Sequence, residues 1–254
     1  MTFNRTIIAA LAFATAGAAN ANIVTSETNF DSAASGSGWN GAWNLVAGTT
    51  KNPAPASIAN SSLVFTGNAD NAAVRKLDGV QTSDVFVDFS LQYSGVLGGN
   101  DFVGLWFGNS NGPSIGLKAN CGDTSATPKC SNDFFVRTGG SDGFFLAGSD
   151  LVAGQSYQLF GHLYKSGDKG NDYDRFDAWF KDNTTGAVSS VITATGNNSL
   201  TQFDTLGFRS VNIDNKVAVT IDSLRVSEVP EPGSLALMGL AFAGFAAARR
   251  RKRG

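Results

Sequence analysis

Alternation with a period of two dominates the middle of the chain. Val85-Phe86-Val87-Asp88-Phe89-Ser90-Leu91-Gln92-Tyr93 places Val85, Val87, Phe89, Leu91 and Tyr93 on one face. Phe86, Asp88, Ser90 and Gln92 face the other way, three of them polar, as in a half-buried strand. Phe102 to Phe107 is a nearly continuous apolar run, the pattern of a central strand. Tyr157 to Lys165 and Arg175 to Asp182 are predicted to form a long hairpin, with Phe176, Ala178 and Phe180 pointing inward. The intervening Ser166 to Asp174 is full of turn residues. Thr205 to Ser210 and Val217 to Val226 are the last predicted strands. In the final one Val217, Val219, Ile221 and Ser223 share a face, while Leu224 and Val226 fall on the other. Such a two-sided pattern is expected of a bulge or of a fully covered end. No stretch between Ile23 and Glu228 holds an apolar period of 3.6. The predicted class is therefore all-β, a single antiparallel sandwich of about 207 residues, long enough to bury a real core.

Both ends of the chain read differently. Arg5, the apolar Ile7 to Gly17 and the small-x-small triplet Ala19-Asn20-Ala21 have the layout of a secretory leader. Residues 1–21 would be removed by signal peptidase after Sec-dependent export, so the mature chain would start at Asn22. Residues 229–254 begin with Val229-Pro230-Glu231-Pro232-Gly233, whose prolines interrupt any strand or helix. The uncharged run 234–248 follows, then Arg249, Arg250, Arg251, Lys252 and Arg253. As a helix the run would span about 22 Å against a hydrocarbon core of roughly 30 Å, a marginal membrane span. The cations behind it are expected to stay cytoplasmic. This leaves residues 22–228 for the sandwich.

Charge sharpens the picture. Setting aside Arg5, the five terminal cations and Glu231 leaves 13 basic and 20 acidic residues, a formal charge of −7. An acidic domain argues against a nucleic-acid partner, whose phosphates need a basic face. It fits an extracellular domain meeting neutral glycans or divalent cations. Cys121 and Cys130 bracket a short polar loop, and in an exported chain such a pair is expected to form a disulfide. A metal site would need further soft ligands, and the single histidine, His162, is distant in sequence.

The tail resembles the PEP-CTERM sorting signal of Gram-negative bacteria that make exopolysaccharide. Pro230, Glu231 and Pro232 match its motif, 234–248 its membrane-spanning helix, and Arg249 to Arg253 its basic anchor. The resemblance implies recognition by an exosortase, a membrane transpeptidase that removes the tail after transient anchoring. The protein would then sit on the outer surface or in the extracellular matrix. A permanent tail anchor is the alternative. Gly38-Trp39-Asn40-Gly41-Ala42-Trp43, Ser62-Leu63-Val64-Phe65, Arg75-Lys76-Leu77, the Tyr157–Leu163 and Phe176–Phe180 pair, and Thr220–Val226 resemble concanavalin A-like, laminin-G-type jelly rolls. An immunoglobulin-like sandwich is the rival fold.

That resemblance brings candidate chemistry. Jelly rolls of this kind often carry a structural calcium where the last strand meets the first. Asp222 matches the closing-strand aspartate, and Glu27 or Asp31 would supply a partner; the alternative is an Asp222 that caps a turn or faces solvent. Calcium would be the one cofactor. Hydrolases on this fold use paired carboxylates, but the chain has only Glu27, Glu228 and Glu231. None lies in a predicted central strand, and His162 has no nucleophile in a recognisable setting. Sugar recognition would need exposed aromatics. Trp106 and Trp179 are the candidates, Trp179 because it shares a face with Asp177 and Lys181. The expected function is that of a non-enzymatic, exosortase-sorted surface protein associated with extracellular polysaccharide. A lectin-like carbohydrate-binding domain is the first alternative and a glycan hydrolase with an atypical site the second.

Overall fold

Period-two alternation builds strands wherever turn residues bracket it, and every element in the described residues is a strand. The structure is a computed structural model and describes residues 22–48, 54–99, 101–120, 131–140, 144–146, 149–196, 199–213 and 216–229. The predicted leader, Cys121 and Cys130, the motif residues Pro230 to Pro232, the apolar run and the basic cluster lie outside them. Among the described residues no helix is long and apolar enough to cross a membrane.

The strands are β1 (Ile23–Glu27), β2 (Trp39–Leu45), β3 (Ala56–Ala59), β4 (Ser62–Phe65), β5 (Ala69–Gln81), β6 (Val85–Ser94), β7 (Phe102–Phe107) and β8 (Ser114–Asn120). They continue with β9 (Ser131–Arg137), β10 (Phe144–Phe145), β11 (Ser156–Tyr164), β12 (Arg175–Asp182), β13 (Ile192–Thr195), β14 (Phe203–Val211) and β15 (Ala218–Glu228). Sheet A has eight strands in the order β13-β12-β11-β6-β15-β4-β3, with β1 also pairing with β15; sheet B has seven, β10-β9-β8-β7-β14-β5-β2. All registered pairs are antiparallel, and the two sheets interleave sequence-distant strands. The unit Ile23–Ser227 is compact by itself.

One apolar cluster lies between the sheets. Val85, Val87, Phe89, Leu91 and Tyr93 belong to it, as do Phe176, Ala178 and Phe180. Aromatic rings interlock the layers: Phe89 and Phe65 of sheet A meet Phe208 of sheet B at 6.1 and 5.3 Å. Phe107 meets Phe176 at 5.7 Å and Phe134 meets Phe180 at 5.6 Å, both edge to face. Gly161 faces this layer because a Cβ there would come within 2.7 Å of the Phe176 ring and 3.2 Å of Ile115 from the other sheet. The two-sided pattern of the last strand is resolved at Ser223, which adopts φ +52. The extra residue shifts the phase, so Val219, Ile221, Leu224 and Val226 are all fully buried in the same core.

Candidate functional site

The outer face of sheet A is where aromatic side chains accumulate away from the core. In β11 the odd-numbered residues Tyr157, Leu159 and Leu163 point inward, which turns Phe160, His162 and Tyr164 outward. Register then does the assembly. His162 lies opposite Phe86 of β6 and Asp177 of β12, and Phe160 lies opposite Trp179 of β12 and Asp88 of β6. Phe160 and Trp179 stack at 5.5 Å with planes 12° apart. His162 is stacked on both sides, 4.4 Å from Phe86 and 4.6 Å from Tyr164. Phe86 is 40% exposed, and the other four rings are partly exposed.

Polar groups rim these rings. Gln158 donates to Asp88 (3.0 Å) and accepts from Ser90 (2.7 Å), and Arg225 pairs with Asp88 at 2.9 Å. Thr193 donates to Asp177 at 2.6 Å. Burial between two rings holds the His162 imidazole below its ordinary pKa, against the opposing pull of Asp84 and Asp177. Its Nε2 is buried with no hydrogen-bond partner. The arrangement offers flat apolar surface beside hydrogen-bonding amides and carboxylates, the combination that engages a pyranose ring and its hydroxyls.

The other predicted site residues are placed differently. Trp179 belongs to the aromatic face, but Trp106 does not open to solvent. It lies on the outer side of sheet B, is only 3% exposed, and donates its indole N–H to the Asp70 carbonyl at 3.2 Å. The indole is seated over Gly207, where any Cβ would overlap it. Glu27, Asp31 and Asp222 are not drawn together as a cation cage. Glu27 is fully buried and pairs with Arg75 at 2.9 Å. Asp31 accepts from Ser61 (2.8 Å), and Asp222 accepts from Ser62 (3.0 Å). Among the described residues no group of three or more His, Cys, Asp or Glu could hold a metal ion. The physical reason is that Glu27 already has a buried cation as partner, which fits its charge better than a shared site at the sheet margin.

That buried cluster is the feature the sequence reading missed. Arg75 of β5 donates to Glu27, to the Gly41 carbonyl (2.8 Å) and to the Ser35 carbonyl (2.7 Å). Its guanidinium lies 4.9 Å from the Trp39 ring and 5.9 Å from Trp43. Burial lowers the Arg75 pKa, with Glu27 opposing. The signal available beforehand was an arginine near Ala72, Ala73 and Leu77 and a glutamate at the end of the first strand. These residues clasp the start of the chain to sheet B and are not exposed to a ligand.

Comparison with solved structures defines the class. The chain has the lectin-like, concanavalin A-type jelly-roll fold. It is similar to a Bauhinia forficata lectin in complex with GalNAc, with TM-score 0.51, 10% identity, and 82% of this chain and 98% of that one covered. It is also similar to the CBM2 module of a Lactobacillus casei BL23 phage J-1 evolved Dit protein (TM-score 0.50, 12% identity, 82% and 96% covered). A third likeness is to a botulinum neurotoxin serotype D/C binding domain (TM-score 0.51, 10% identity, 81% and 48% covered). Residues 228–252 match the PEP-CTERM protein-sorting motif. The chain therefore ends in a sorting signal that marks an exported protein for exosortase processing. No curated protein matches the chain.

Proposed function

We propose that this protein is an exported, sorted surface or matrix protein that binds extracellular polysaccharide without catalysis. The observation that carries the reading is the outer face of sheet A, where Phe86, Phe160, His162, Tyr164 and Trp179 form two ring stacks rimmed by hydrogen-bonding groups. Aromatic cross-strand pairs also stabilise a sheet. Five rings gathered on a solvent-facing layer, in a chain addressed to the cell exterior, favour a ligand in addition. Binding is favoured over hydrolysis by the state of the acids. Glu27 is neutralised by Arg75 in the core, and the rim acids Asp88 and Asp177 are each held by neighbouring side chains.

The test is calorimetric titration of the unit Ile23–Ser227, which has its own core, with the exopolysaccharide of the producing cell. Saturable binding is expected, and Trp179→Ala or Phe160→Ala should weaken it about tenfold or more, because each removes a stacking surface. Both side chains lie outside the core, so the variants should stay folded and lose only the ~0.2–1 kcal/mol of a cross-strand pair. Absence of saturable binding by the wild type, or unchanged affinity in both variants, would refute the reading.

A further inference from the structure

The opposite sheet carries a buried cation that has no anion among the described residues. Arg137 closes β9 opposite Ser114 of β8, on the face of sheet B turned away from the core cluster. It is 8% exposed. Its Nε donates to Ser114 Oγ at 2.7 Å, and its terminal nitrogens donate to the Gly140 carbonyl (2.6 Å) and, at 3.5 Å, to the Ser110 carbonyl. All three acceptors are neutral. Two of the five N–H groups of a guanidinium remain without an acceptor among the described residues. None of the ion pairs among the described residues includes Arg137. Buried charges are normally paired, since their desolvation costs several kcal/mol per ion. Here the neighbouring charge is a second cation: burial lowers the pKa of Arg137, and the proximity of Arg209 lowers it further.

The surroundings suit a ligand. Arg209 lies on the same outer face, its side chain 27% exposed, with Asp70 as its partner at 2.8 Å. The Phe102 ring lies 5.7 Å from the Arg137 guanidinium. Phe102 and Phe135 pack over Gly104, where a Cβ would come within 2.9 and 3.1 Å of their rings, and both rings are buried, so the guanidinium sits beside packed aromatic side chains. The rim beside Arg137 is open: Gly140 and Asn111 are exposed, and a Cβ on Gly140 would meet nothing within 4 Å.

We propose that this end of sheet B is a second binding site, taking an oxyanion on an extracellular polymer, a uronate carboxylate or a sulfate ester, against Arg137 and Arg209. It is separate from the aromatic face of sheet A and does not depend on it. A guanidinium that only clamped the turns at Ser110 and Gly140 would need no anion and would leave anion binding unmoved by its removal. The two sheets would then engage two different features of a polymer, flat sugar faces on one side and charge on the other.

The test uses the full-length chain in detergent and three probes: an oligouronate, a sulfated neutral oligosaccharide, and the same neutral oligosaccharide unsulfated. One or both anionic probes should bind, with affinity that falls as salt rises. Whichever arm binds identifies the anion. Arg137→Gln and Arg209→Gln should each weaken that binding by about tenfold, as for loss of a charge-assisted hydrogen bond. In Trp179→Ala the difference in affinity between the sulfated and the unsulfated probe should persist, since that variant removes only a neutral stacking surface on sheet A. If Arg137→Gln fails to fold because the turns lose their clamp, the more exposed Arg209→Gln decides. Failure of both anionic probes to bind would overturn the proposal. So would equal binding of the unsulfated probe at this face, or anion binding that survives in folded Arg209→Gln and Arg137→Gln. Loss of the sulfate-dependent difference in Trp179→Ala would also overturn it, by moving the anion to sheet A.

Discussion

Removing Glu27 should cost more than removing almost any other polar residue in the sandwich. Glu27 is fully buried, and among the described residues its Oε2 is the only carboxylate oxygen within ion-pair distance of Arg75, at 2.9 Å. In Glu27→Ala the guanidinium keeps its bonds to the Gly41 and Ser35 carbonyls and its place over Trp39 and Trp43. Its positive charge, however, is left buried without an anion. Breaking a buried pair from one side costs about 3–5 kcal/mol, a large share of the roughly 5–15 kcal/mol that holds a domain together. The double variant Glu27→Ala/Arg75→Met should recover part of that loss. Oε1 of Glu27 has no hydrogen-bond partner, so the pair is incompletely satisfied in the first place, and an apolar replacement removes both charges together. Urea unfolding followed by tryptophan fluorescence is the assay, since Trp39 and Trp43 pack against the pair. The single variant should lower the midpoint with little change in the denaturant slope, and the double-mutant cycle should show strong non-additivity. Losses below about 1 kcal/mol that simply add would refute the view that the pair is a coupled, buried unit.

Other expectations rest on separate observations. Burial lowers the His162 pKa in the folded state, while the unfolded chain takes up a proton near the ordinary pKa of 6.5, so between the two values the unfolded state binds more protons. Stability should be complete above about pH 6.5 and fall as the pH drops below it, and a comparison of urea midpoints at neutral and acidic pH should show a smaller fall in His162→Phe. Gly207→Ala should destabilise by about 1–3 kcal/mol, because the added methyl overlaps the Trp106 indole; thermal unfolding together with a shifted fluorescence maximum would register it. Asn60 and Ser61 form a two-residue turn between β3 and β4 with φ of +51 and +60, geometry that favours glycine. Ser61→Gly should therefore stabilise by about 0.5 kcal/mol, offset in part by the lost bond to Asp31, and Ser61→Val should destabilise; chemical denaturation distinguishes them.

Much of the fold was legible because its signals are local. The alternation of β6, the apolar run of β7 and the hairpin of β11 and β12 each state their own strand and inward face. The double-sided final strand announced an irregularity, and Ser223 supplies it. The acids were less legible. Glu27 at a strand end reads equally as a cation ligand or as an ion-pair partner, and only the approach of Arg75, 48 residues away in sequence, separates the two. Trp106 and Trp179 each sit in an apolar-rich strand, yet one is covered over Gly207 and the other is partly open, a difference that depends on what packs across neighbouring strands.

The sequence by itself determined the address and the architecture. The tail is a contiguous pattern of charge, apolar length and proline, and the strands follow from a period of two that any short window displays. Tertiary structure alone decided what the surfaces carry. Phe86, His162 and Trp179 become one face only through the register of β6, β11 and β12. Arg137 becomes a buried cation without an anion among the described residues only when the turns at Ser110 and Gly140 close on it. The reason is physical: periodicity is set by neighbours along the chain, whereas the pairing of rings and charges is set by strands brought together from far apart in it.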